Sequence, residues 1–158
     1  MKTPLLLFYH SAHKKMRTKF IDITFFLYIL LFVYAATTKL LDYQKFVIQL
    51  GQSPILTQYS TYLAWGIPFL ELLIALLLII PYTRLLAMYA AFSLMVMFTT
   101  YIMLASRFSD YVPCSCGGVL EGMSWTHHLI FNVVFVLLGC TALMVHPRMP
   151  VKSNAIAR

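Results

Sequence analysis

Cys114 and Cys116 stand one residue apart in the run Val112-Pro113-Cys114-Ser115-Cys116-Gly117-Gly118. The thiolate of such a pair attacks disulfides, and a bridge between the two closes a very small ring. Departure from relaxed disulfide geometry makes a bond easier to reduce, which suits exchange better than stapling. Pro113, Gly117 and Gly118 permit the tight turn that the ring requires. Three readings follow: redox exchange, which the strained ring favours; a static pair; or ligation of zinc together with His127 and His128 further along the chain. Cys-x-Cys is less typical of zinc than Cys-x-x-Cys, and no further soft ligand is near in sequence, so no metal site is expected. His127 and His128 are either a polar helix entry at headgroup level, or one of them holds the attacking cysteine as a thiolate or handles its proton. Cys140 lies too deep in the following apolar stretch to reach the pair, and reads as a small packing residue.

Glu71 is the second chemical anomaly, because it falls in the middle of an apolar stretch. An ionised carboxylate at the centre of a bilayer costs about 2.5–3.5 kcal/mol on insertion scales, so it must be paired, protonated or used. Pro68, one turn earlier, cannot donate to the carbonyl of Ala64, which leaves a polar, kinked patch. Lys39 is the natural partner, although helix rise places it about 10 Å nearer the outer surface. Tilt and long side chains close much of that gap; the competing reading is that Lys39 snorkels to the headgroups. Asp22 is most simply a charge favoured by a helix N-terminus.

The elements that hold these residues follow from composition. Of 158 residues, 61% are apolar and 11% charged, with a mean hydropathy of +0.80; soluble domains run at about 45–50% and about 25%. The 15% of aromatic residues excludes a disordered chain. Four stretches, 20–41, 61–80, 85–105 and 126–145, have the roughly 20 apolar residues that a crossing helix needs. The expectation is an all-α polytopic membrane protein, a four-transmembrane-helix bundle. An N-terminal extension (1–19) and a tail (147–158) flank the membrane domain (20–146).

Nine basic residues (Lys2, Lys14, Lys15, Arg17, Lys19, Arg84, Arg148, Lys152, Arg158) fall on one side of this topology, against Lys39, Lys45 and Arg107 on the other. The positive-inside rule then makes both termini cytoplasmic and turns the cysteine loop outward. The charge of +7 is topological, and no nucleic-acid partner is expected. Residues 1–19 lack a full apolar core and a cleavage site and do not read as a signal peptide; Met16 reads as a second start, with 1–15 dispensable. Residues Tyr43–Leu50 place Tyr43, Phe46, Val47 and Leu50 at helical spacing. They form either an interfacial amphipathic helix or a plain loop with a greasy side.

Three motifs in order carry a family resemblance: Ala36-Thr37-Thr38-Lys39-Leu40-Leu41-Asp42 with Phe46, then Pro68-Phe69-Leu70-Glu71, then Cys114-Ser115-Cys116-Gly117-Gly118. From about Phe20 to Gly139 the chain resembles the MauE/DoxX group of redox-associated membrane proteins. Ser124-Trp125 fits that pattern; an Arg-Asn pair early in helix four is Phe131-Asn132 here. The resemblance implies a bacterial inner-membrane bundle acting with a periplasmic thioredoxin-like partner, as in maturation of the disulfide-rich small subunit of methylamine dehydrogenase. It implies Cys114 and Cys116 as the redox pair, and Lys39 and Glu71 as the intramembrane polar pair.

The leading functional expectation is therefore a membrane thiol–disulfide relay. A quinone is the membrane carrier that could exchange electrons with it, although no spacing marks a pocket for one. The alternatives are a non-catalytic assembly factor whose cysteines only rigidify the loop, and a small transporter using Glu71.

Overall fold

A computed structural model describes residues 4–51, 57–108 and 125–146, with side chains at 15–51, 57–104 and 126–146. The helices are α1 (Pro4–Leu41), α2 (Tyr43–Gly51), α3 (Ser60–Ile79), α4 (Arg84–Phe108) and α5 (Trp125–Val145), with a single 3-10 turn at Thr57–Tyr59 before α3. Four segments are long and apolar enough to cross a membrane: Lys15–Leu41, Thr57–Ile79, Arg84–Leu104 and Thr126–Val145. The described chain is all-helical, as composition requires.

Helix α1 begins well before the apolar stretch expected at residue 20. No glycine or proline interrupts the chain between Pro4 and Leu41, and proline is accommodated in a first helical turn. Nothing local therefore stops the helix at the membrane boundary. At its other end the chain bends at Asp42, with Asp42 N–H donating to Thr38 (3.1 Å) and Phe46 N–H to Asp42 (3.0 Å). Helix α2 follows at once. It is the amphipathic helix rather than the plain loop: Phe46 and Leu50 are buried with Ala64 of α3, flanked by Tyr43, Val47, Leu63 and Ile67.

The four long helices close into a ring in the order α1, α3, α4, α5, each packed on its neighbours, with α2 laid against α3. Side chains from all four meet in one core: Phe25, Tyr28 and Phe32 from α1, Ile74 and Leu78 from α3, Met88 and Met95 from α4, and Ala142 from α5. Between helices in lipid, where apolar contact alone gives little preference, small residues allow close approach and dispersion. Ala75, Ala87, Ala91 and Ala142 serve that purpose here. Large apolar residues point the other way: Trp65 is 61% exposed and Phe69 69%, alongside Leu30, Leu76 and Leu137. A surface so apolar belongs against acyl chains.

The Tyr28–Gly139 contact locks α1 to α5. Tyr28 Oη donates to the carbonyl of Phe135 at 2.7 Å, satisfying a hydroxyl that is otherwise fully buried. Its ring meets those of Phe32 and Phe135 edge-on. A Cβ at Gly139 would run into the Tyr28 hydroxyl and lie 3.1 Å from Phe92 Cδ2, whereas one at Gly66 would meet nothing within 4 Å. Overpacking of this kind costs about 1–3 kcal/mol, while alanine is the better helix former by roughly 1 kcal/mol. Gly139→Ala is therefore expected to lower the unfolding temperature in detergent, and Gly66→Ala to leave it unchanged or raise it.

Candidate functional site

Glu71 is fully buried, on the α3 face that also buries Ala64, Pro68, Ile74, Ala75 and Leu78. Lys39, in the last turn of α1, is 4% exposed and forms a direct ion pair with Glu71 through Nζ and Oε1. Of the two fates open to Lys39, pairing rather than snorkelling is the one the fold adopts. The ammonium also lies over two aromatic rings, 5.8 Å from the centroid of Phe46 on α2 and 5.3 Å from that of Phe98 on α4. Placement of a cation above the negative face of a ring is stabilising, by about 2 kcal/mol or more when desolvated. One charge thus gathers groups from four helices.

The fifth helix completes the surroundings. His128 and Asn132 are 2% and 4% exposed and sit one turn apart, on one face of α5. Asn132 Nδ2 donates to the carbonyl of His128 at 3.1 Å. Lys39, Glu71, Phe98, His128, Phe131 and Asn132 are among the residues lining a chamber of about 20 Å³, about the volume that admits one water molecule. Glu71 Oε2 has no hydrogen-bond partner among the described residues. A cation, a carboxylate, an imidazole and an amide therefore line a space the size of one water molecule. Such a set can hold and pass a proton over short distances, because the imidazole both accepts and donates. The chamber is too small for a quinone ring.

The structure separates the two histidines. His127 is exposed and His128 is buried, and of the two only His128 lines the chamber with Lys39 and Glu71. The signal for this was its four-residue spacing from Asn132. Cys114 and Cys116 lie outside the described residues. They precede α5 in sequence, and that helix begins at Trp125, three residues before His128. Cys140 is half-buried, with its Sγ 4.0 Å from Met144 Sδ, near the opposite end of α5. Among the described residues, no three of His, Cys, Asp and Glu come together in a way that could hold a metal.

Removing one partner of a buried pair strands the other and costs about 3–5 kcal/mol, whereas apolar replacement of both is often nearly neutral. Lys39→Met is accordingly expected to destabilise the protein strongly, and Lys39→Met with Glu71→Leu to recover most of the loss. Denaturant unfolding of the single and double variants measures the coupling, and additive single effects would mean that the two charges do not interact.

Residues 17–145 match the sequence model of the family described as methylamine utilisation protein MauE, about four-fifths of the chain. No curated protein and no solved structure matches it. The matched segment covers all but the first two residues of the four apolar spans, the Lys39–Glu71 pair with His128 and Asn132, and the Cys-x-Cys motif. The chain belongs to the MauE family of methylamine utilisation membrane proteins.

Proposed function

We propose that this protein is a bacterial inner-membrane thiol–disulfide relay that supports maturation of a disulfide-containing partner through Cys114 and Cys116. In this reading both termini are cytoplasmic and the cysteine loop faces the periplasm, where disulfides persist. A thiolate of a thioredoxin-like partner attacks one sulfur of the Cys114–Cys116 disulfide and forms a mixed disulfide, releasing the other cysteine of the pair as a thiolate. The partner's second thiol then resolves the mixed disulfide. The partner leaves oxidised and the pair reduced by the same two electrons, and the reverse direction uses the same steps.

The observation that carries this reading is the buried polar chamber at the end of the bundle where the loop enters α5. An ion pair and His128 would supply fixed charge and a proton acceptor on the side of the membrane where, in this reading, the thiolates form. Methylamine itself enters only through the family's name. Transport through Glu71 is the weaker reading, because Lys39 already occupies the carboxylate in a water-sized chamber.

An assembly factor with a merely structural cysteine bridge predicts a different outcome in cells. With one cysteine changed to alanine, the remaining one is expected to trap a mixed disulfide with a thioredoxin-like protein, detected as a band lost on reduction. Trapping that persists in the Cys114→Ala/Cys116→Ala double variant would refute the relay. A pair that stays fully oxidised whether or not the partner gene is present would favour the assembly factor.

A further inference from the structure

At the end of the bundle opposite the chamber, a groove of about 670 Å³ opens between α1, α4 and α5. Its mouth is basic and its depth is apolar. Arg17 stands near the start of the apolar span of α1 and His146 just beyond the end of α5; Leu85, Tyr89, Phe92, Cys140 and Leu143 line the interior. Along α4 from Leu85 to Phe92, and along α5 from His146 to Cys140, helix rise carries the groove about 10 Å into the bilayer. Arg17 Nε donates to the carbonyl of Val145, which fixes the guanidinium over the C-terminus of α5. A guanidinium has five N–H donors, so four remain on the two terminal nitrogens.

We infer that this groove binds an anionic phospholipid, with the phosphate at Arg17 and His146 and one acyl chain along Phe92, Leu143 and Cys140. Charge supports this choice of occupant. Among the described residues at this end, Lys15, Arg17, Lys19 and Arg84 are basic and Asp22 is the one acid, 3.9 Å from Arg84. Basic pockets between transmembrane helices favour anionic headgroups, by about 1 kcal/mol for each Lys or Arg near the surface. The chain's own ends are poor competitors: residues 1–14 and 147–158 contain basic residues and no Asp or Glu, so their charge does not complement that of the mouth. The groove is within the roughly 300–1,000 Å³ of ordinary ligand clefts. A neutral isoprenoid carrier would match the depth but leave the cationic mouth without a counter-charge. This inference is independent of the thiol chemistry.

Native mass spectrometry of the full-length protein in detergent tests it, using phosphatidylglycerol and phosphatidylcholine with identical acyl chains. Phosphatidylglycerol is expected to bind at least fivefold more tightly, the factor that corresponds to about 1 kcal/mol. Arg17→Gln should weaken it by roughly that factor and leave phosphatidylcholine unchanged. Because Arg17 also caps α5, Cys140→Phe is a second variant: it fills the depth, keeps the mouth intact, and should likewise reduce retention. Millimolar inorganic phosphate should not displace the lipid. Equal binding of the two lipids, wild-type retention in both variants, displacement by free phosphate, or displacement by a neutral quinone would each overturn the assignment. So would binding that appears only after deletion of residues 147–158, since the tail would then be the occupant.

Discussion

A charge pair that cannot be left half-made governs this bundle. Lys39 and Glu71 are both shielded from solvent, and a lone ion in such a place is costly to keep. Each therefore constrains the helix that bears it. Helix α1 must be tilted and placed so that its last turn reaches the middle of α3, and α3 must present the same face as Pro68. The aromatic rings that cover the ammonium, Phe46 and Phe98, bring α2 and α4 to the same point. This gives helix packing in lipid a directional element that apolar contact alone supplies poorly.

The two ends of the bundle are built for different surroundings. At the end where the cysteine loop enters α5, polar groups turn inward around a water-sized space. At the opposite end, Arg17 and His146 stand at an open, largely apolar groove. The Tyr28–Phe135 hydrogen bond, backed by Gly139, lies between the two and holds α1 against α5. Because the ends share the same helices, a substitution that shifts α1 or α5 is felt at both. Functional variants at Lys39 therefore need a stability control before any redox effect is interpreted.

Membrane class and helix number were legible in the sequence because a bilayer sets the length of an apolar run, and four runs met it. Helix α2 was legible as a pattern, since Phe46 and Leu50 are four residues apart, but periodicity could not decide whether a partner covered them. The surface of α3 around Ala64 does. The Lys39–Glu71 contact was visible only as a candidate. The partners are separated by 32 residues and offset by helix rise, and the tilt that unites them is a property of packing. The role of His128 was hidden by its neighbour His127: two adjacent histidines look like a polar helix entry, yet successive helical residues point about 100° apart, so one can be buried while the other is exposed. The start of α1 was misplaced because hydropathy marks the membrane boundary, whereas a helix stops only where backbone or capping residues stop it.

The most direct test of the central claim is a magnetic-resonance measurement of the Lys39 Nζ to Glu71 Cδ dipolar coupling, with ¹⁵N-lysine and ¹³C-glutamate in native-like bilayers. The buried pair predicts a coupling that corresponds to a salt-bridge separation, within about 4 Å, and that disappears in Lys39→Met. A lysine signal identical to that of the surface lysines, with no coupling to Glu71, would place the ammonium among the headgroups and contradict this account.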